Sequence, residues 1–140
     1  MERYSLNGYR ILVVEDSALI ALDIEISLSE LGASVFVVAN QASALQLLSE
    51  KRFDFAVVDL DLNGTPSKLL TQELVAENCP FVILSGSTHA HAESVFGKVY
   101  FLSKPFDMFA LAELIIRRVE PCTTFPCYKP KHNLINVPLV

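Results

Sequence analysis

The chain has 140 residues, 51% hydrophobic and 19% charged, which supplies apolar material for one compact core and excludes the polar, highly charged balance of a disordered protein. The formal charge is 11 − 16 = −5 and Lys and Arg are scattered along the sequence, which argues against an electrostatic footprint for nucleic acid. No apolar stretch approaches the ~20 residues needed to span a bilayer, and Met1 to Arg10 lacks a signal-peptide layout, so the expectation is one cytoplasmic domain without a membrane partner.

The first predicted element is a buried strand at Ile11-Leu12-Val13-Val14, followed at once by Glu15-Asp16. A helix follows from about Ser17 to Leu31, because Ile20, Ile24, Leu28 and Leu31 recur at helical spacing, with Gly32 as its C-cap signal. Val35 to Val38 is the second strand, Gln41 to Glu50 a helix around Leu45 and Leu48, and Phe55 to Val58 a third strand that runs into Asp59. The next helix is expected from Pro66, suited to a first helical turn, through Leu70 and Leu74 to Ala76. Phe81 to Leu84 and the weaker Tyr100-Phe101-Leu102 complete the strands. Between them, His89 to Gly97 offers only Val95 and Phe96 as apolar anchors, which predicts a short or degenerate fourth helix. The last helix, Met108 to Val119, places Met108, Leu111, Ala112, Ile115 and Val119 on one stripe and ends before Pro121. Phe109, Leu114 and Ile116 flank that stripe, either as a homodimer or partner face or as ordinary packing beneath the residues that follow.

Near-continuous apolar strands alternating with helices are the pattern of a parallel sheet covered on both faces. The predicted fold is therefore a doubly wound α/β domain with five parallel strands in the flavodoxin-like order 2-1-3-4-5. Residues 121–140 are rich in proline and carry no helical or strand period, so they form a C-terminal extension. Cys79, Cys122 and Cys127 are an odd count and fit reduced thiols; Cys122 and Cys127 could pair, or bind metal with His132, and His89 and His91 could be a metal pair or a phosphotransfer site, but isolated groups of this kind are more often incidental.

In such a sheet the ligand site lies beyond the carboxyl ends of the strands. The residues that fall there are Glu15, Asp16, Asp59, Asp61, Ser85 and Lys104. Three converging carboxylates repel one another unless a divalent cation sits among them, and oxygen ligands of this kind suit Mg²⁺. Ser85 adds a hydroxyl donor and Lys104 an ammonium, which an acyl phosphate's remaining oxygens would need. Asp59 is then the candidate nucleophile, with Ser85 and Lys104 completing the charge clamp.

Four stretches, Ile11-Leu12-Val13-Val14-Glu15-Asp16, Phe53 to Asp59, Val82-Ile83-Leu84-Ser85-Gly86 and Ser103-Lys104-Pro105-Phe106, resemble in order and spacing the receiver domain of two-component response regulators. The resemblance covers roughly Tyr9 to Val119 and implies a domain over 1–120, followed by an extension without an output domain. It further implies phosphoryl transfer to Asp59 from a phosphohistidine on a sensor histidine kinase or histidine phosphotransfer protein, and an unidentified downstream protein. By the same resemblance, Asp16 is the direct Mg²⁺ ligand, Glu15 supports it through water, Asp61 lends its backbone carbonyl, the Lys104-Pro105 bond is cis, and Phe101 is the switch aromatic that answers Ser85. Phe101 also reads simply as core.

Asp61 departs from the commoner neutral residue at its position, and Asn63-Gly64 stands where a proline-containing loop is usual. The Asp59-Leu60-Asp61 triplet also resembles the Asp-x-Asp strand end of haloacid-dehalogenase-type phosphatases. Those enzymes, however, place their acidic pair after the lysine, whereas Glu15-Asp16 comes first here. A third reading is a pseudo-receiver that binds a partner without being phosphorylated. The expected role is that of a phospho-accepting signalling protein that assists its own phosphorylation and dephosphorylation, not of a turnover enzyme.

Overall fold

The computed structural model describes residues 5–62, 65–66, 68–86 and 100–119. Strands β1 (Arg10–Val14), β2 (Ser34–Val38), β3 (Phe55–Asp59), β4 (Phe81–Ser85) and β5 (Tyr100–Ser103) alternate with helices α1 (Ala18–Glu30), α2 (Gln41–Glu50), α3 (Lys68–Ala76) and α4 (Met108–Val119). All sheet pairings are parallel and the strand order is β2-β1-β3-β4-β5, as the sequence predicts. The predicted fourth-helix region, the loop residues Asn63 and Gly64, and the 121–140 extension lie outside the described residues.

Strand alternation divides the core into two layers. Leu12, Val14, Ala56, Val58 and Ile83 face α2 and α3, where Ala44, Leu48, Leu70 and Leu74 meet them. Ile11, Val13, Phe55, Val57, Val82 and Leu84 face α1 and α4, against Ile24, Leu28, Leu111 and Ile115. Because β1, β3 and β4 are covered on both faces, almost every residue in them is buried, which is why their sequences lack polar alternation. Cys79 lies in the first layer as a free cysteine, and burial, with lesser help from Asp54 and Glu77, pushes its thiol well above the usual range. It is kept protonated and unreactive.

One element boundary differs from expectation. Pro66 does not open α3: it pairs with Asp61 in a two-stranded antiparallel ribbon, Asp61–Leu62 with Thr65–Pro66, and the helix starts at Lys68. The Gln41 side chain accepts a hydrogen bond from Leu70 N at 2.8 Å, serving one of the donors that the start of α3 leaves free. Ile116 is only 4% exposed and belongs to the α1–α4 layer, so it is no part of an outer face; Leu114 packs partly on that layer, and Phe109 alone of the three is mainly exposed.

The helix ends are set by backbone geometry. After α1, Gly32 has φ +102 and donates to Ser29 O, while Ala33 N donates back to Leu28 O, a Schellman arrangement. After α3, Asn78 has φ +59 in the same place, with Cys79 N donating to Leu74 O. Gly32 also lies against Asn7, into whose side chain a Cβ at this position would run. Gly8 shares a positive φ of +87 but has open space around it. Gly32→Ala is therefore expected to lower stability by about 1–2 kcal/mol and Gly8→Ala by about 1 kcal/mol or less. Urea denaturation with unchanged slope checks this, and equal losses at both positions would contradict the steric part of the argument.

Candidate functional site

Parallel pairing of β1 with β3, in the register Val14 to Val58, brings the residues after both strands to one edge. Glu15 follows β1 and is 2% exposed, its backbone N–H held by Val38 O at 3.1 Å; Asp59 closes β3 and is 5% exposed. Asp16, one residue on, is exposed. Carboxylate oxygens of Glu15, Asp16 and Asp59 all lie within 4.8 Å of one another.

Lys104 reaches this cluster from the end of β5. Its Nζ is 3.3 Å from Asp59 Oδ1 and 3.4 Å from Glu15 Oε1, so one ammonium bridges two nearly buried carboxylates. The backbone N–H of Lys104 donates to Ser85 O at 2.8 Å, which ties the lysine to the end of β4. Ser85 is fully buried there, paired in register with Ser103. The Lys104-Pro105 peptide is cis.

Ser17 orients the remaining acid. Its N–H donates to Glu15 Oε2 at 3.1 Å while its Oγ accepts from Ile20 N at 3.4 Å, so the residue that caps α1 also fixes the Glu15 carboxylate. Glu15 Oε1 is buried and in ion-pair contact with Lys104 without the geometry of a hydrogen bond. Burial, and next the Asp59 carboxylate, push the Glu15 carboxyl up to about 7, against the opposing pull of the Ser17 amide and the Lys104 charge. A buried carboxylate oxygen without a hydrogen-bond donor, set among two more carboxylates, is the environment that a hard, oxygen-seeking cation relieves. The donor set fits Mg²⁺.

Of the sequence candidates, the structure brings together Glu15, Asp16, Asp59 and Lys104, with Ser85 at the adjacent strand end. Asp61 stands two residues beyond Asp59 with its backbone paired to Pro66 in the ribbon. Phe101 lies one strand over, opposite Ile83, partly buried against the layer that contains Val58. The Ser17 amide is a contributor that sequence reading missed. Its signal was available, since a serine just before an apolar helix is an N-cap, but nothing local showed that its N–H would point at Glu15.

The response regulator receiver domain family matches this chain over residues 11–116. The two-component response regulator PhoP of Pseudomonas aeruginosa is 39% identical over 75 residues, covering 54% of this chain and 33% of PhoP. The sensor histidine kinase GacS of Pseudomonas protegens is 26% identical over 126 residues, covering 83% of this chain and 14% of GacS. The chain thus spans a third or less of the length of these two relatives. A crystal structure of the receiver domain of sensor histidine kinase PA1611 from Pseudomonas aeruginosa, with a magnesium ion coordinated in its active-site cleft, superposes with a TM-score of 0.69 at 26% identity, covering 79% of this chain and 96% of that one. Among the described residues no helix is long and apolar enough to cross a membrane.

The Glu15 shift has a consequence for stability. Its folded-state value, about 7, lies above the ordinary 4.5, so between those pH values the folded protein binds more protons than the unfolded chain. Stability contributed by this group therefore falls as pH rises through that window, and the cost is complete above about 7. In chelator, Glu15→Gln is expected to stabilise the protein at pH 8 by on the order of 1–3 kcal/mol and to give little gain at pH 4.5. Thermal melts across that range check it, and a gain that does not change with pH would contradict it.

Proposed function

This chain belongs to the response regulator receiver domain family, and on that footing we propose that Asp59 accepts a phosphoryl group from a phosphohistidine in a two-component signalling system. The observation that carries the reading is the bridge from Lys104 Nζ to Asp59 Oδ1 and Glu15 Oε1 at 3.3 and 3.4 Å. It sets an ammonium beside a nearly buried carboxylate at the strand end where an incoming phosphoryl group would arrive. A sensor histidine kinase or a histidine phosphotransfer protein is the fitting donor, and a downstream protein reads the outcome.

Phosphoryl transfer asks a protein mainly for positioning and charge neutralisation. An Asp59 carboxylate oxygen forms the new O–P bond as the P–N bond to the donor imidazole breaks, and the electron pair returns to that nitrogen. Glu15, Asp16 and Asp59, with the Asp61 backbone carbonyl, are the groups that would hold Mg²⁺, and the ion when bound supplies positive charge opposite the phosphoryl oxygens. Lys104 is placed to exchange its contact with Asp59 for one with a phosphoryl oxygen. Ser85, at the adjacent strand end, offers its hydroxyl as a further donor.

The aspartyl phosphate carries about −1.5 to −2 charges where the carboxylate carried one, and brings three acceptor oxygens. Drawing Ser85 and Lys104 toward it changes the space around Phe101, which is half-buried now and can move inward. That motion is the switch, and the surface it reshapes is what a partner distinguishes. Glu15-Asp16 ahead of Asp59 in the chain favours this acceptor role over a haloacid-dehalogenase-type phosphatase, as does the family match. The role is signalling, with the domain assisting its own phosphorylation and dephosphorylation.

Incubation with Mg²⁺ and acetyl phosphate or phosphoramidate is expected to add the mass of one phosphoryl group to the intact protein. The adduct should be absent in Asp59→Ala and form at least ~10²-fold more slowly in Lys104→Ala, the usual range for a lost charge-stabilising donor. Rapid, continuous turnover of phosphomonoesters would support the phosphatase instead. No adduct with any donor would support an unphosphorylated binding module.

A further inference from the structure

The chain between Leu60 and Leu70 is pinned at both ends. At its start Leu60 N donates to Leu84 O at 2.8 Å, which ties it to β4. At its end Leu70 N donates to Gln41 Oε1 at 2.8 Å. Leu70 is the third residue of α3 and fully buried, so its N–H is shielded from water and is the donor that an N-cap side chain ordinarily serves. Here the cap comes from 29 positions earlier, from the first residue of α2.

Between those pins lies the ribbon that carries Asp61. Pro66 has no N–H, so the Asp61 to Pro66 pair can only be a non-hydrogen-bonded pair of the antiparallel ladder. The N–H and C=O of Asp61 are therefore turned away from the ribbon, and where that carbonyl points depends on how the ribbon as a whole is held. Pro66 stands two residues before Lys68, where α3 begins, so a shift in the first turn of α3 carries the ribbon with it.

The turn that supplies Gln41 also braces the first acids. Val38 O accepts from Glu15 N at 3.1 Å, and Asn40 caps α2 by accepting from Ser43 N at 2.8 Å, which fixes Gln41 as the first helical residue. Residues 38–41 thus hold one segment that leads to Glu15 and Asp16 and another that leads back to Asp61.

We infer that Gln41 is a positioning residue for the cation site: by capping α3 from α2, it sets the ribbon so that the Asp61 carbonyl serves the ion that Glu15, Asp16 and Asp59 would hold. The inference rests on the Mg²⁺ reading of that cluster and adds to it a side chain that acts through a helix start and does not touch the ion. A buried N–H left without its acceptor is costly enough to make the first turn of α3 move.

Mg²⁺ titration of the full chain, followed by amide chemical shifts at the carboxylate edge, tests it together with hydrogen exchange at Leu70. Gln41→Met removes the acceptor with little change in volume, and Gln41→Glu keeps it. Gln41→Met is expected to weaken Mg²⁺ binding about 10-fold, the low end for a lost outer-shell partner, and to speed exchange of the Leu70 amide about 10-fold. Gln41→Glu is expected to bring both to within about 3-fold of the wild type. Unchanged Mg²⁺ affinity in Gln41→Met, with the Leu70 amide exposed, would overturn the inference and leave Gln41 a helix cap only. Unchanged Leu70 exchange in that variant would overturn it too, as would affinity regained in Gln41→Glu without renewed protection at Leu70, since charge and not position would then be acting. A wild type that binds no Mg²⁺ would overturn the metal reading itself, and the inference with it.

Discussion

One ammonium between two carboxylates is the constraint on which the site depends. Glu15 and Asp59 are nearly buried, close together and of like charge, a combination that burial and mutual repulsion both oppose. Lys104 offsets part of that cost from a third strand end, and because its side chain is 22% exposed, water screens the pair less than at an open surface and more than in a dry core. The arrangement is tolerable only if something further relieves it. A divalent cation would do so in the resting state, and a phosphoryl group would redistribute it.

The rest of the molecule serves that convergence. Five short parallel strands bring their carboxyl ends to one edge, and two apolar layers fix the register that decides which side chain stands there. A slip of one residue between β1 and β3 would turn Asp59 toward a core layer. The α1 cap is part of the same device, because the Ser17 amide that begins the helix also holds Glu15 Oε2. Helix start and acid orientation therefore cannot be changed separately.

Much of this was legible in the sequence. Strands buried on both faces read as unbroken apolar runs, and the residues that follow such runs fall at the ligand edge by topology, so Glu15, Asp16, Asp59, Ser85 and Lys104 could be placed before any coordinates. What escaped has local causes. Pro66 suits a first helical turn and a strand edge equally well, and a ribbon of two-residue strands has no period to detect. Ala21 and Ala44 are core positions whose small side chains give little apolar signal. Ile116 looked like a flank because α4 buries a wider stripe where α1 and the sheet both meet it. Glu15 and Asp16 are adjacent acids, and only the turn into α1 decides that the first is buried and the second exposed.

The account's central claim is that the carboxylate bridged by Lys104 is the one that takes the phosphoryl group. Borohydride reduces an acyl phosphate to an alcohol and leaves a free carboxylate untouched, so reduction of the phosphorylated protein followed by peptide sequencing by mass spectrometry marks the acceptor directly. The account predicts homoserine in place of Asp59 and intact aspartates at 16 and 61. Homoserine at Asp16 or Asp61, with Asp59 unmodified, would contradict it.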